Sequence, residues 1–286
     1  MRSAALLLSA LGLATPLAGC GGSSGAAAPA TAAGAGPGAA EGALPPAAQV
    51  LDAYVAATGG KAAYESLKSR VASGTVSVPS MSQPARFTMY QEAPRKMRLV
   101  IELPGVGTEE RGTDGQTAWS KSNMTGNRIL EGPERAQLLR TGALRAEIEW
   151  RQLYTSAETV GVEDVDGHKA YKVALHTPEG TVEHRFYDVG SKLLLRTSTV
   201  DKSPMGEVPV DTVTSDYRAE GGILVSHKAV VRAMSMEQVL TLEKIEHNVP
   251  IDPQRFQVPA DVHAAPAEAP ARPSAPDATP PPGGKK

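Results

Sequence analysis

From residue 70 to residue 248 the chain falls into short runs with a two-residue period, joined by links too short for crossovers, except at 132–152. The clearest run is 96–103, where Met97, Leu99, Ile101 and Leu103 alternate with Lys96, Arg98, Val100 and Glu102. Strand side chains point to opposite faces in turn, so this spacing puts four apolar residues on one face. Further strands are expected at 70–78, 85–92, 108–113 and 117–121, then at 158–164, 169–176, 181–188, 193–200, 208–218, 223–234 and 238–248. Asp114-Gly115, Asp166-Gly167, Glu179-Gly180, Gly190-Ser191 and Gly221-Gly222 sit between several of them as turns. Parallel pairs need connections of a dozen residues or more, so links this short imply an antiparallel meander.

Helices are expected in two places. Val50, Leu51, Tyr54 and Val55 recur at helical spacing before Gly59-Gly60, and a second short helix follows at 61–69. Within the strands, Gly132-Pro133-Glu134 opens a helical segment running to about Gln152, with a break near Thr141-Gly142. The expected fold is therefore mainly β with some α: a curved antiparallel sheet of about eleven or twelve strands with short helices over one mouth. About eight strands make a barrel that its own side chains just fill. A larger curved sheet in a chain with only 4% aromatic residues should enclose a hydrophobic hollow. Its expected lining is Met97, Leu99, Ile101 and Leu103, joined by Phe87 and Met89 from the preceding strand. The same face could equally be plain core. Methionine is flexible and polarizable, which suits a wall that must fit apolar groups of varied shape.

Composition removes several functions. With 29 basic and 31 acidic residues there is no excess of positive charge for a nucleic acid. A single cysteine allows no intrachain disulfide, no Cys/His metal spacing occurs, and no cofactor is expected. His168, His176 and His184 stand eight apart, but a two-residue turn at Glu179-Gly180 would pair 176 with 183 and 175 with 184. That register puts His184 on the apolar face with Val173, Leu175 and Phe186, and His176 on the polar one. Ser226 and His227 are strand neighbours facing opposite ways, which is no nucleophile–base pair. None of the common hydrolase, zinc-protease or phosphate-loop motifs occurs. No catalytic residue is expected, and an unfamiliar hydrolase is the weakest alternative.

The ends differ from the middle. Arg2 precedes an apolar run from Ala4 to Leu13, too short for a transmembrane span but suited to a secretion signal. Leu17-Ala18-Gly19-Cys20 then resembles the lipobox of a bacterial lipoprotein, which implies removal of residues 1–19 and lipid on Cys20. Residues 20–46 read as the acylated cysteine and a Gly/Ala/Pro tether, holding the folded part roughly 25–30 Å from the anchor. Residues 260–286, with seven prolines, read as a disordered tail. The folded domain is expected over 47–259.

That domain resembles the LolA/LolB superfamily of periplasmic lipoprotein carriers and outer-membrane receptors, and most closely its uncharacterised LolA-like lipoproteins. The likeness rests on Val50-Leu51, Tyr54 and Ala57-Thr58-Gly59-Gly60-Lys61, on Asp114-Gly115 with Trp119, on Asp216-Tyr217-Arg218 before Gly221-Gly222, and on Asn248-Val249-Pro250-Ile251 with Phe256 and Pro259. It implies an unclosed antiparallel β-barrel covered by short helices, an acyl-chain ligand, a membrane partner through Cys20, an outer-membrane protein facing the periplasm, and a role in lipid or lipoprotein trafficking. Gly21 beside the anchor, rather than aspartate, also favours the outer membrane. A monomer is expected. The receptor carries an exposed apolar residue between its third and fourth strands; by strand order Val106 stands there, although the motif does not match. A sensor or scaffold with a filled barrel is the alternative.

Overall fold

The computed structural model describes residues 43–123, 126–203 and 206–262. Cys20, the tether as far as residue 42 and nearly all of the proline-rich tail lie outside the described residues.

Thirteen strands form one antiparallel sheet. They are β1 (Ser69–Ser77), β2 (Ala85–Glu92), β3 (Lys96–Leu103), β4 (Gly107–Thr113), β5 (Ala118–Lys121), β6 (Arg128–Leu130), β7 (Ser156–Val165), β8 (His168–His176), β9 (Val182–Asp188), β10 (Leu194–Ser203), β11 (Gly206–Glu220), β12 (Ile223–Ala233) and β13 (Met236–His247). Their order is β6-β5-β4-β3-β2-β1-β13-β12-β11-β10-β9-β8-β7, so β1 and β13 meet in the middle and β6 and β7 are free edges. The sheet is an unclosed barrel, as expected, with one strand more than the sequence suggested. The addition is β6, three residues long and too short to show a period.

Among the described residues four α-helices accompany the sheet, α1 (Ala47–Ala57), α2 (Lys61–Glu65), α3 (Gly132–Thr141) and α4 (Ala146–Leu153), with a 3-10 turn at Pro253–Phe256. Strand order dictates where the last two go. The chain leaves one edge at β6 and re-enters the sheet at the other edge, β7, so α3 and α4 must cross the opening. Accordingly α3 touches β4 and β5 on one side and β10 on the other. α1 and α2 lie against α4, and α1 also packs on β7 and β8. The expected break falls at Gly142, whose amide closes α3 on the Leu138 carbonyl at 2.9 Å.

The residues that carried the resemblance sit where distant segments touch. A Cβ on Gly59 would lie 2.5 Å from the Gly222 carbonyl oxygen, and Leu224 N–H donates to the Thr58 carbonyl at 2.9 Å. Thr58 also meets Tyr64 through their hydroxyls at 2.7 Å. Asn248 accepts from Lys68 N–H at 2.7 Å, while its own amide donates to the Ser69 carbonyl at 2.8 Å. Trp119 packs on Gly112 of β4, where any side chain would collide with the indole.

One register differs from expectation. β8 and β9 pair Leu175 with Glu183 and Ala174 with His184, because the loop is Pro178-Glu179-Gly180 rather than two residues. Gly180 has φ 80°, its amide donates to the Thr177 carbonyl, and Thr177 N–H donates to the Thr181 carbonyl. A one-residue slip exchanges the faces. His184 therefore lies on the same face as His176 and not with Val173 and Leu175. It is half-buried, and burial, then the Lys172 ammonium, lowers its basicity. His176 Nε2 lies 3.2 Å from Glu158 Oε1.

Candidate functional site

The inner face of the sheet is built by pairing. Directly opposed residues of an antiparallel pair share a face. Phe87 opposes Ile101 and Met89 opposes Leu99, so the six residues expected as lining fall on one side of β2 and β3. Phe87, Met89, Met97, Leu99, Ile101 and Leu103 are all at most 6% exposed and form one cluster with Ala72 and Val76 of β1, Val208 and Val210 of β11, Ala229 and Val231 of β12, and Leu240 and Leu242 of β13. The wall is thus continuous from β3 through β1 to β11.

What covers it is thin. Leu138 of α3 and Leu144 of the α3–α4 link join the same cluster, as do Val55, Tyr64 and Leu67. Leu138 is the buried residue of α3, and polar contacts do the rest. Glu134 accepts two bonds from Arg128 at 2.7 Å, Arg135 donates to the Gln116 carbonyl, Gln137 Nε2 lies 2.5 Å from Asp201 Oδ1, and Arg140 pairs with Glu179 at 2.8 Å. Burying one leucine contributes about 1.5–3 kcal/mol and a part-exposed ion pair about 1 kcal/mol or less.

The other half of the inner face is less greasy than the sequence suggested. Val173, Leu175 and Tyr187 pack against α1 and α4 through Leu51, Tyr54, Trp150 and Leu153. The corrected register places Glu183 and Arg185 among them. Arg185 Nε donates to Glu183 at 2.6 Å, one Nη to the Tyr154 hydroxyl at 3.0 Å, and the other lies 3.4 Å from Glu147 of α4. Burial pushes the Glu183 carboxyl up, but Arg185 and the Tyr154 hydroxyl outweigh it and hold the group below the usual carboxylate range. Burial raises the Tyr154 and Tyr187 hydroxyls so that both stay protonated, and Tyr154 donates to Glu183 at 3.0 Å. Sequence reasoning missed this cluster because the two-residue turn assigned its residues to the outside.

Val106 lies on the turn between β3 and β4, 45% exposed. An open groove of about 450 Å³ lies nearby, lined by Thr75, Gln83, Pro84, Arg86, Glu102, Leu103 and Pro104. Of the expected lining residues it includes only Leu103. Ser226 Oγ donates to the Lys228 carbonyl and His227 Nδ1 to the Leu242 carbonyl, so the two are not a nucleophile–base pair. Among the described residues no three His, Cys, Asp or Glu side chains converge as metal ligands.

No protein-family model and no curated protein matches this chain. Solved structures do. A LolA-superfamily protein from Nitrosomonas europaea superposes with a TM-score of 0.51 at 11% identity, covering 75% of this chain and 98% of its own. The fold is LolA-like. A putative outer-membrane lipoprotein-sorting protein domain from Vibrio parahaemolyticus matches with TM-score 0.52 and 10% identity over 73% of this chain and 97% of its own. A DUF1329-family protein from Desulfovibrio piger gives TM-score 0.52 and 14% identity over 75% and 98%. Identities this low carry the LolA-like architecture alone.

Proposed function

We propose that this chain is a lipid-anchored protein of the bacterial envelope that holds the acyl chain of a lipid or lipoprotein against the inner face of its LolA-like sheet. The observation that carries the reading is a largely apolar wall, running from Leu99 and Met89 to Val231 and Leu240, under a helix that inserts one leucine. An acyl chain would take the place of Leu138 and Leu144 as α3 and its link to α4 swing away. Each methylene buried there contributes about 0.8 kcal/mol, so a long chain repays the lost leucine contacts several times over. The LolA-superfamily and lipoprotein-sorting relatives in fold support a trafficking role. The lipobox-like Leu17-Ala18-Gly19-Cys20 supports an anchor, and Gly21 an outer-membrane address facing the periplasm. Nothing in this reading requires bond-breaking chemistry.

A second reading is a scaffold whose barrel is permanently filled. It is favoured by Leu138 and Leu144 packing directly on the lining. Native mass spectrometry of the chain beginning at Gly21 separates the two. Co-purifying lipid, or uptake of a palmitoyl lipid from micelles, is the expected result. A chain that emerges bare and stays bare overturns acyl binding in favour of the scaffold.

A further inference from the structure

The inner wall is interrupted where α3 meets β4 and β10. Glu109 and Arg111 oppose Ile101 and Leu99, so both point inward from β4. Asp201 opposes Val208 of the lining and points inward from β10. Gln137 of α3 closes the group by donating to Asp201 Oδ1. Glu109 is 3% exposed and Asp201 4%. Yet Glu109 Oε1 and Asp201 Oδ2 have no hydrogen-bond partner among the described residues, and neither does Gln238 Oε1 on the same wall.

Buried acceptors without donors are costly, and native proteins keep them where something else supplies the hydrogen. At this patch the orphans, Glu109 Oε1 and Asp201 Oδ2, are acceptors, so a complement here must donate; the unpaired Arg70 Nε shares the inner face but stands on β1, beside Gln91. An anionic head group would face Glu109 and Asp201, two buried carboxyls. An ammonium would duplicate Arg111, whose guanidinium already answers Asp201 and Glu109 across a site where burial pushes it down from its ordinary value. Uncharged hydroxyls fit best: they donate to the orphaned oxygens and can accept from Arg111.

We propose that the patch formed by Glu109, Arg111, Gln137 and Asp201 is the head-group end of the ligand site and takes the hydroxyls of an uncharged glycerol- or sugar-type head, with the acyl chain running along the Phe87–Leu103 wall. The assignment rests on the acyl-binding reading and narrows it to neutral, hydroxyl-bearing amphiphiles. Waters alone could also satisfy these oxygens, and then the head would make no difference to affinity.

Three probes sharing the palmitoyl chain decide it: 1-monopalmitoylglycerol, methyl palmitate and palmitate, titrated into the chain beginning at Gly21. The glycerol ester is expected to bind about tenfold tighter than the methyl ester, the scale of one hydrogen bond to a charged group in a dry site, with palmitate weakest. In Asp201→Leu and Glu109→Leu the ratio of glycerol ester to methyl ester should fall to within about twofold. Equal binding of all three probes, palmitate binding best, or an unchanged ratio in both variants overturns the head-group assignment and leaves acyl binding standing. Binding of none overturns both. Should a variant fail to fold, the order of affinities of the three probes for the unaltered chain still separates these outcomes.

Discussion

Gly74 of β1 and Thr241 of β13 touch backbone to backbone: a Cβ on Gly74 would fall 1.9 Å from the Thr241 carbonyl oxygen and 2.9 Å from the Phe87 ring. The contact lies at the register shift between Ser73 and Gly74, where the first and last strands of the sheet are stitched together. Gly74→Ala should therefore destabilise by about 1–3 kcal/mol or more, since backbone must yield. Urea unfolding monitored by far-ultraviolet circular dichroism measures it, and an unshifted midpoint would contradict the geometry.

Arg185 neutralises Glu183 inside the protein and also donates to Tyr154. Removing the cation strands a buried carboxylate, so Arg185→Leu is expected to cost about 3–5 kcal/mol. Adding Glu183→Gln should restore part of that loss. The double-mutant comparison by chemical denaturation shows it, and additive losses would mean that the pair is uncoupled.

Burial pushes the Asp201 carboxyl from 3.8 up to about 6, against the opposing pull of Gln137 and Arg111. A carboxyl whose folded value is raised binds more protons folded than unfolded between those two values. Its contribution to stability is thus most favourable below about pH 4, falls as pH rises toward 6, and is flat above. The full change is roughly 3 kcal/mol. Unfolding free energies of the wild type and Asp201→Asn, measured from pH 4 to 7.5, should diverge in that window in the direction of a wild type that weakens. Parallel curves would mean that Asp201 titrates normally.

Val106 stands exposed on its turn, so Val106→Asp should leave the unfolding midpoint within about 0.5 kcal/mol of wild type. If this turn meets a membrane, transfer of bound palmitoyl lipid to vesicles should slow. Unchanged transfer assigns the valine to an ordinary turn.

Cys20→Ser should move the protein from the membrane fraction to the soluble one and abolish labelling by a palmitate analogue. Labelling that survives the substitution would remove the anchor from the proposed function.

Much of the fold is legible because its signals are local. In Lys96–Leu103 Met97, Leu99, Ile101 and Leu103 do share the buried face, with Val100 on the other. Short turns without crossovers forced the meander. The losses have equally local causes. Arg128–Leu130 is too brief to show a period and is a strand only because β5 lies beside it. At 177–181 a usable signal was present: Pro in the first loop position and Gly in the left-handed one suit a three-residue hairpin loop, and that loop turns Glu183 and Arg185 inward. Glu109, Arg111 and Asp201 read as outward polar residues in isolation. Only the pairing of β4 with β3 and of β10 with β11 turns them toward the wall.

Because β6 and β7 never join, the strand count does not fix the girth of this molecule. A closed barrel must break ladder bonds to widen. Here the gap is bridged by the polypeptide between Glu131 and Thr155, so no interstrand bond has to break for the rim to widen. On the acyl-binding proposal, tolerance for guests of different thickness would then follow from the unsealed rim, independent of any side chain inside.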